Sequence, residues 1–140
     1  MVKRILVPLY RKIDLDLFLH MIVPILSEKD EITLFHVIQV PITTAMDKEL
    51  FSKELEEVSK WLEEMAEELA GRGLRVQTRV VMSRDVAEAI AREGEEGNHD
   101  VIFMLKRRRK SLKRVFQRSI SSRVSELSRK PVVTILVDKI

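Results

Sequence analysis

Five short runs rich in β-branched residues, separated by helical patterns, constrain this 140-residue chain more than any other feature. They are RILVP (4–8), EITLFHV (31–37), RVQTRVVM (75–82), VIFML (101–105) and VVTILV (132–137). Runs one, four and five are nearly continuous in apolar residues, as strands buried on both faces are. Run three alternates, with Val76, Thr78 and Val80 against Arg75, Gln77 and Arg79. That alternation predicts an edge strand with one wet face.

Helical periodicity fills the gaps. Over 47–70, the residues Phe51, Leu55, Val58, Leu62, Met65 and Leu69 recur at spacings of three and four, which puts them on one helix face. Gly71 and Gly73 supply stop signals. A shorter helix is predicted over 84–96, with Val86, Ala89 and Ile90 inward, and a last one over 119–129, with Ser119 as N-cap. The segment 14–27 is apolar around most of its circumference, and Pro24 should kink or end it. Either a partner subunit covers its outer side, or it is wedged between its neighbours and the sheet. The alternation β-α-β-α-β-α-β-α-β predicts an α/β fold, a parallel sheet with helices on both faces; an open, Rossmann-like, five-stranded sheet in the order 3-2-1-4-5 is the expected arrangement. No internal repeat or linker interrupts it, so residues 1–140 are read as a single domain.

In such a sheet, ligands bind outside the carboxyl ends of the strands, where the winding direction reverses. That point falls between runs one and four. The loop after run four is the most charged stretch of the chain: KRRRKSLKRVFQR (106–118) holds eight basic side chains and no acidic one. Net charge is +3, so the rest of the chain sums to −5 (3 minus 8) and the basicity is local. Four readings stay open. The stretch is a solvated loop; or Lys106, Arg108, Arg118 and the amides near Ser119 hold a small anion; or it grips nucleic acid; or it meets an acidic partner. Phe116 is its only aromatic, so it offers no stacking ladder for single strands. The acidic helix 47–70 of another subunit is one acidic partner; a solvated face with i,i+4 ion pairs is the plainer account of that helix.

Other signals exclude. The chain has no cysteine, which removes disulfides, thiolate metal sites and cysteine nucleophiles and fits a cytoplasmic protein. No apolar run approaches the ~20 residues of a membrane span, so no membrane insertion is expected. The opening MVKRILVPLY is read as a first strand, not a signal peptide. Abundant Glu, Lys and Arg beside scarce Asn and Gln point to a thermophilic source. His20, His36 and His99 have no metal-ligand spacing, and no Walker A, Gly-x-Ser-x-Gly or His-Glu-x-x-His pattern occurs, so neither a metal nor a catalytic residue is assigned. His36 reads as packed or hydrogen-bonded, and Trp61 as packing.

Several stretches in order carry a resemblance. RILVPLY, ITLFHVIQVP with its His36-Val37 pair, RDVAEAIAREGEEGNHDVIFML with Asp100 before the strand, and RSISSRVSELSRKPVVTILV together resemble the universal stress protein family over nearly the whole chain. Members that bind ATP carry an Asp after the first strand and a Gly-two-Gly-nine-Gly-Ser pattern after the fourth. The glycines let backbone amides approach phosphate closely. Here the Asp position holds Tyr10, the glycine positions hold Leu105, Arg108 and Arg118, and only Ser119 is kept. A glycine often found after the third strand is matched by Arg84.

The resemblance therefore implies a non-enzymatic stress-response or regulatory domain. Its nucleotide crevice, at Pro8, Tyr10, Val37, Leu105, Arg108, Arg118 and Ser119, is degenerate, and ATP is not expected there in the usual family mode. No cofactor is assigned on that reading; the alternative is ATP or another nucleotide, or phosphate, held by the basic loop. The resemblance further implies a homodimer through the last strand, Val132, Val133, Thr134, Ile135, Leu136 and Val137, and allows a partner protein or transporter as the target of regulation.

Overall fold

The computed structural model describes residues 2–107 and 119–138. Five strands form one sheet: β1 (Arg4–Pro8), β2 (Glu31–Gln39), β3 (Arg75–Ser83), β4 (Val101–Arg107) and β5 (Val132–Val137). Every paired neighbour is parallel, as the alternation predicts, and the order is the expected β3-β2-β1-β4-β5. Among the described residues, four helices, α1 (Leu15–Ile22), α2 (Ser52–Gly71), α3 (Val86–Glu96) and α4 (Ile120–Leu127), lie in the crossovers.

Residues alternate between the two faces of each strand, and each face has its own core. On one, Ile5, Val7, Ile32, Leu34 and Phe103 pack with Phe18 and Ile22 of α1 and Leu62, Met65 and Leu69 of α2. On the other, Leu6, Phe35, Ile102 and Met104 pack with Ala87 and Ile90 of α3 and Val124 of α4. At the amino ends of the strands, buried Asp30 accepts hydrogen bonds from the Lys3 amide at 2.9 Å and the Ser27 amide at 2.8 Å. Burial alone would raise its pKa; the amides of Ser27 and Lys3, with the Lys3 ammonium, outweigh it and hold the carboxyl below its ordinary range.

Helix ends follow local chemistry. Asp14, Asp85 and Ser119 cap α1, α3 and α4 with side-chain oxygens. Gly73, at φ +89°, ends α2: its amide bonds to Ala70 and the Leu74 amide to Leu69, a Schellman motif. The segment 14–27 is not one helix. α1 stops at Ile22, and Val23–Ile25, with Pro24 at its centre, forms a single 3-10 turn. Nor is it buried all round: Phe18 and Ile22 are buried, Leu15, Leu19, Met21, Ile25 and Leu26 are half-buried against the core, and Val23 is 51% exposed. The chain itself covers most of the segment.

Run five departs from its expectation too. It holds the edge that the order 3-2-1-4-5 gives it, but its apolar run reads as buried on both faces, whereas Thr134 and Leu136 are exposed and Val132, Val133 and Ile135 half-buried. β3 is the other edge, and there the alternation is the right guide, although Thr78, expected inward, is exposed.

Candidate functional site

The connections from β1 through β2 to β3 wind one way along the sheet, and the connection from β4 to β5 winds the other. At this switch, beyond the carboxyl ends of β1 and β4, lies a crevice of about 400 Å³, within the range of ~300–1,000 Å³ typical of ligand pockets. The structure brings Pro8, Tyr10, Val37, Leu105, Lys106 and Ser119 together in its wall. Arg108 and Arg118 lie outside the described residues.

The inner wall is apolar, built by Phe35 and Val37 of β2, Met104 of β4, and Val86 and Ile90 of α3. Val86 and Ile90, four apart on one helix face, are legible from the sequence as inward residues, but nothing in the periodicity says that they border a cavity. Leu9, Gln39, Ile120 and Ser121 complete the wall and carry no such signal. Lys106 is the one cation among the described lining residues, and no carboxylate lies among them. The α4 N-terminus opens onto the crevice, and the Ser119 hydroxyl accepts from the Ser122 amide at 3.2 Å.

Tyr10 is 62% exposed at the mouth, with the Arg11 guanidinium 5.2 Å from its ring centre. Arg84 does not line the crevice. Its guanidinium donates to the Pro41 carbonyl at 2.6 Å and the Thr44 carbonyl at 3.0 Å, and so fixes the loop that follows β2. The two helices flanking the crevice are joined by an ion pair that sequence reasoning misses. Arg123 of α4 donates to both oxygens of Asp85, at 3.0 and 2.8 Å. The Arg123 guanidinium, then the Glu88 amide, hold the Asp85 carboxyl below the usual range, and Asp85 in turn raises Arg123.

His36 is structural. Its Nδ1 lies 2.7 Å from the Leu9 carbonyl, which can only accept, so Nδ1 carries the proton. Its ring packs edge-to-face on Trp61 with centroids 5.6 Å apart. Asp100 likewise ties strands: the Arg4 amide donates to its carboxylate at 2.7 Å and its own amide to the Arg4 carbonyl at 2.7 Å. Among the described residues, no three His, Asp or Glu side chains are grouped to hold a metal, and no helix is long and apolar enough to cross a membrane.

Comparison with known proteins places this geometry. The chain is similar to the structure of hypothetical protein MJ0577, at 26% identity over 96% of each chain with a TM-score of 0.76. It shares its fold with a universal stress protein family protein from Arabidopsis thaliana with AMP bound, at 17% identity, TM-score 0.67, covering 96% of this chain and 91% of that one. It shares it also with the universal stress protein from Archaeoglobus fulgidus in complex with dAMP, at 14% identity, TM-score 0.64, covering 95% and 97%. No curated protein sequence gives a significant match. The family model for universal stress proteins matches residues 1–135, and this chain belongs to that family.

Proposed function

We propose that this chain is a non-enzymatic, cytoplasmic regulatory domain of the stress response that does not bind ATP in the usual family mode. The observation that carries the reading is the chemistry of the crevice mouth. Tyr10, Leu105 and Lys106 stand in its wall, so the acidic and glycine positions of ATP-binding relatives are filled by an aromatic ring and an aliphatic side chain. A side chain at a glycine position keeps phosphate from the backbone amides.

Homodimerisation through β5 belongs to the same reading. Leu136 leaves 49% of its surface exposed on an edge strand, and an apolar edge is ordinarily covered.

One observation favours a second reading, in which a nucleotide or phosphate is held by side-chain charge. The α4 N-terminus and Lys106 face the same crevice, and relatives of this fold are known with AMP and dAMP. An equilibrium titration with fluorescent ATP, on protein whose mass is measured by light scattering, tests both parts. A dimer that binds ATP more weakly than micromolar is expected. Micromolar binding that is lost in Lys106→Ala overturns the first reading in favour of the second, and a monomeric mass refutes the dimer.

A further inference from the structure

The sheet face under α3 and α4 is not apolar throughout. Near the amino ends of the strands it carries Arg4 on β1, Thr33 on β2, and Gln77 and Arg79 on β3, where a parallel sheet covered by helices is ordinarily apolar. Register puts Thr33 beside Gln77, and Phe35 beside Arg79. Between this corner and the last turns of α3 is a polar cavity of about 490 Å³, walled by those four side chains with Glu93, Glu96 and His99. It lies at the other end of the strands from the crevice, and no crevice residue lines it.

The cavity is built. α3 ends in a second Schellman motif, in which the Asn98 amide bonds to Glu95 and the His99 amide to Gly94. Asn98 takes φ 55°, which Asn tolerates better than most residues. The motif folds His99 back under the helix, where it is 1% exposed. Gly97 leaves room for it: a Cβ there would sit 2.7 Å from the Glu93 carbonyl oxygen and 2.8 Å from His99 Cδ2.

Glu93 is shared, with one oxygen 2.7 Å from Arg79 Nε and the other 3.2 Å from His99 Nε2. A carboxylate only accepts, so Nε2 carries the proton and Nδ1 keeps a bare lone pair. That Nδ1 is buried and has no hydrogen-bond partner. Buried polar atoms are nearly always paired, and an unpaired one is costly.

The charges around the cavity balance. Among the wall residues, Arg4 and Arg79 stand against Glu93 and Glu96, and Arg4 Nε also lies 3.7 Å from a Glu31 oxygen outside the wall. A polyanion would meet two carboxylates, and a simple cation would meet two guanidinium groups. A molecule with both charges meets a complement for each.

We propose that this corner is a second ligand site, which takes a small zwitterion of the amino-acid type with its carboxylate toward Arg4 and Arg79 and its ammonium toward Glu93 and Glu96. The bidentate preference of guanidinium for carboxylate sets the orientation. Thr33 and Gln77 offer hydroxyl and amide contacts, and the absence of apolar side chains from the wall selects a small, polar ligand.

Titration of the ¹⁵N-labelled protein with serine at millimolar concentration, followed by amide NMR, tests the site. Serine is expected to shift the amides of Thr33, Gln77 and Arg79 and to leave Met104, in the crevice, unmoved. Acetate and methylammonium, each carrying half of the charge pattern, are expected to shift them much less. Arg79→Gln, at a side chain 56% exposed and therefore compatible with folding, should weaken serine binding at least about tenfold, and Arg79→Lys should recover part of the loss. No shift with serine, equal shifts with acetate or methylammonium, or unchanged binding by Arg79→Gln would each overturn the proposal.

Discussion

One face of the sheet carries two cavities of opposite character. At the carboxyl ends of β1 and β4 the crevice is apolar with a single lysine among its described residues; at the amino ends of β2 and β3 the corner is polar and charge-balanced. The change occurs along one strand, since Thr33 faces the corner while Phe35 and Val37, two and four residues on, face the crevice. α3 spans the same distance. Its Val86 and Ile90 seal the apolar end, and its Glu93 and Glu96 wall the polar end. The fold dictates that a switch point exists at the carboxyl edge. It does not dictate the chemistry of either cavity, which depends on a few side chains along β2, β3 and α3.

The largest way to break this contrast is through Phe35. It is fully buried, it lines the crevice, and it also lines a notch of about 140 Å³ shared with Arg79 and Glu93. Its ring thus borders both the crevice and the notch that reaches Arg79 and Glu93. Phe35→Ala removes the side chain between the crevice and the notch and leaves a void, at a cost of about 3–5 kcal/mol. Urea unfolding followed by circular dichroism measures the loss. A loss below about 1 kcal/mol would mean that the neighbours collapse into the space, and that Phe35 separates nothing.

Asp85 tests the crevice end alone. It accepts the Glu88 amide at 3.1 Å as the α3 cap and both Arg123 nitrogens from α4. Loss of a capping carboxylate costs about 1 kcal/mol, so Asp85→Ala should lower the urea midpoint modestly and loosen the crevice wall without moving the amides of Thr33 and Gln77. The pH dependence has a definite sign. Arg123 depresses the folded pKa of Asp85 below its ordinary 3.8, so the contribution is present above that value and is lost as pH falls through the folded pKa. The variant should therefore show a shallower acid limb; an unchanged limb would assign the acid sensitivity to other carboxylates.

The parallel α/β class and the β3 edge are legible because they depend on patterns that repeat over many residues, and the position of the crevice follows once the order 3-2-1-4-5 is taken. Apolar continuity, alternation and helical spacing each average over a whole element. Ser119 was legible as an N-cap for a related reason, since its role is local. The polar corner was not legible. Arg4, Thr33, Arg79, Glu93 and His99 are scattered through the chain, and only the register of β1, β2 and β3 with the turn after α3 brings them together. The one hint was the polar half of run three, which reads equally well as solvent-facing. Arg84 was legible as a substitution but not as a staple, because its two acceptors are carbonyls 40 and 43 positions away. The edge position of β5 follows from the strand order, but its burial does not follow from its composition: a continuous apolar run reads as covered on both faces, and Thr134 and Leu136 are exposed.

The smallest expected effect belongs to the polar end, and its pH window differs from that of Asp85. His99 is buried against Glu93, with Arg79 on the far side of that carboxylate and Arg4 and Asp100 nearby. Burial lowers its pKa from the ordinary 6.5, only partly offset by the hydrogen bond and charge of Glu93. For a base depressed in the folded state, the unfolded chain takes up the proton first. The His99 contribution is therefore complete above pH 6.5 and is lost as pH falls from there toward the folded pKa. The slope of stability against pH in this window is at most that of one proton, or about 1.4 kcal/mol per pH unit. His99→Gln, which keeps an N–H within reach of Glu93 but does not titrate, should flatten the slope between weakly alkaline and weakly acid pH and leave the Asp85 limb below pH 4 intact. Urea unfolding across that range makes the measurement. If the slope survives in His99→Gln, the proton is taken up elsewhere, and the polar end does not respond to pH separately from the apolar one.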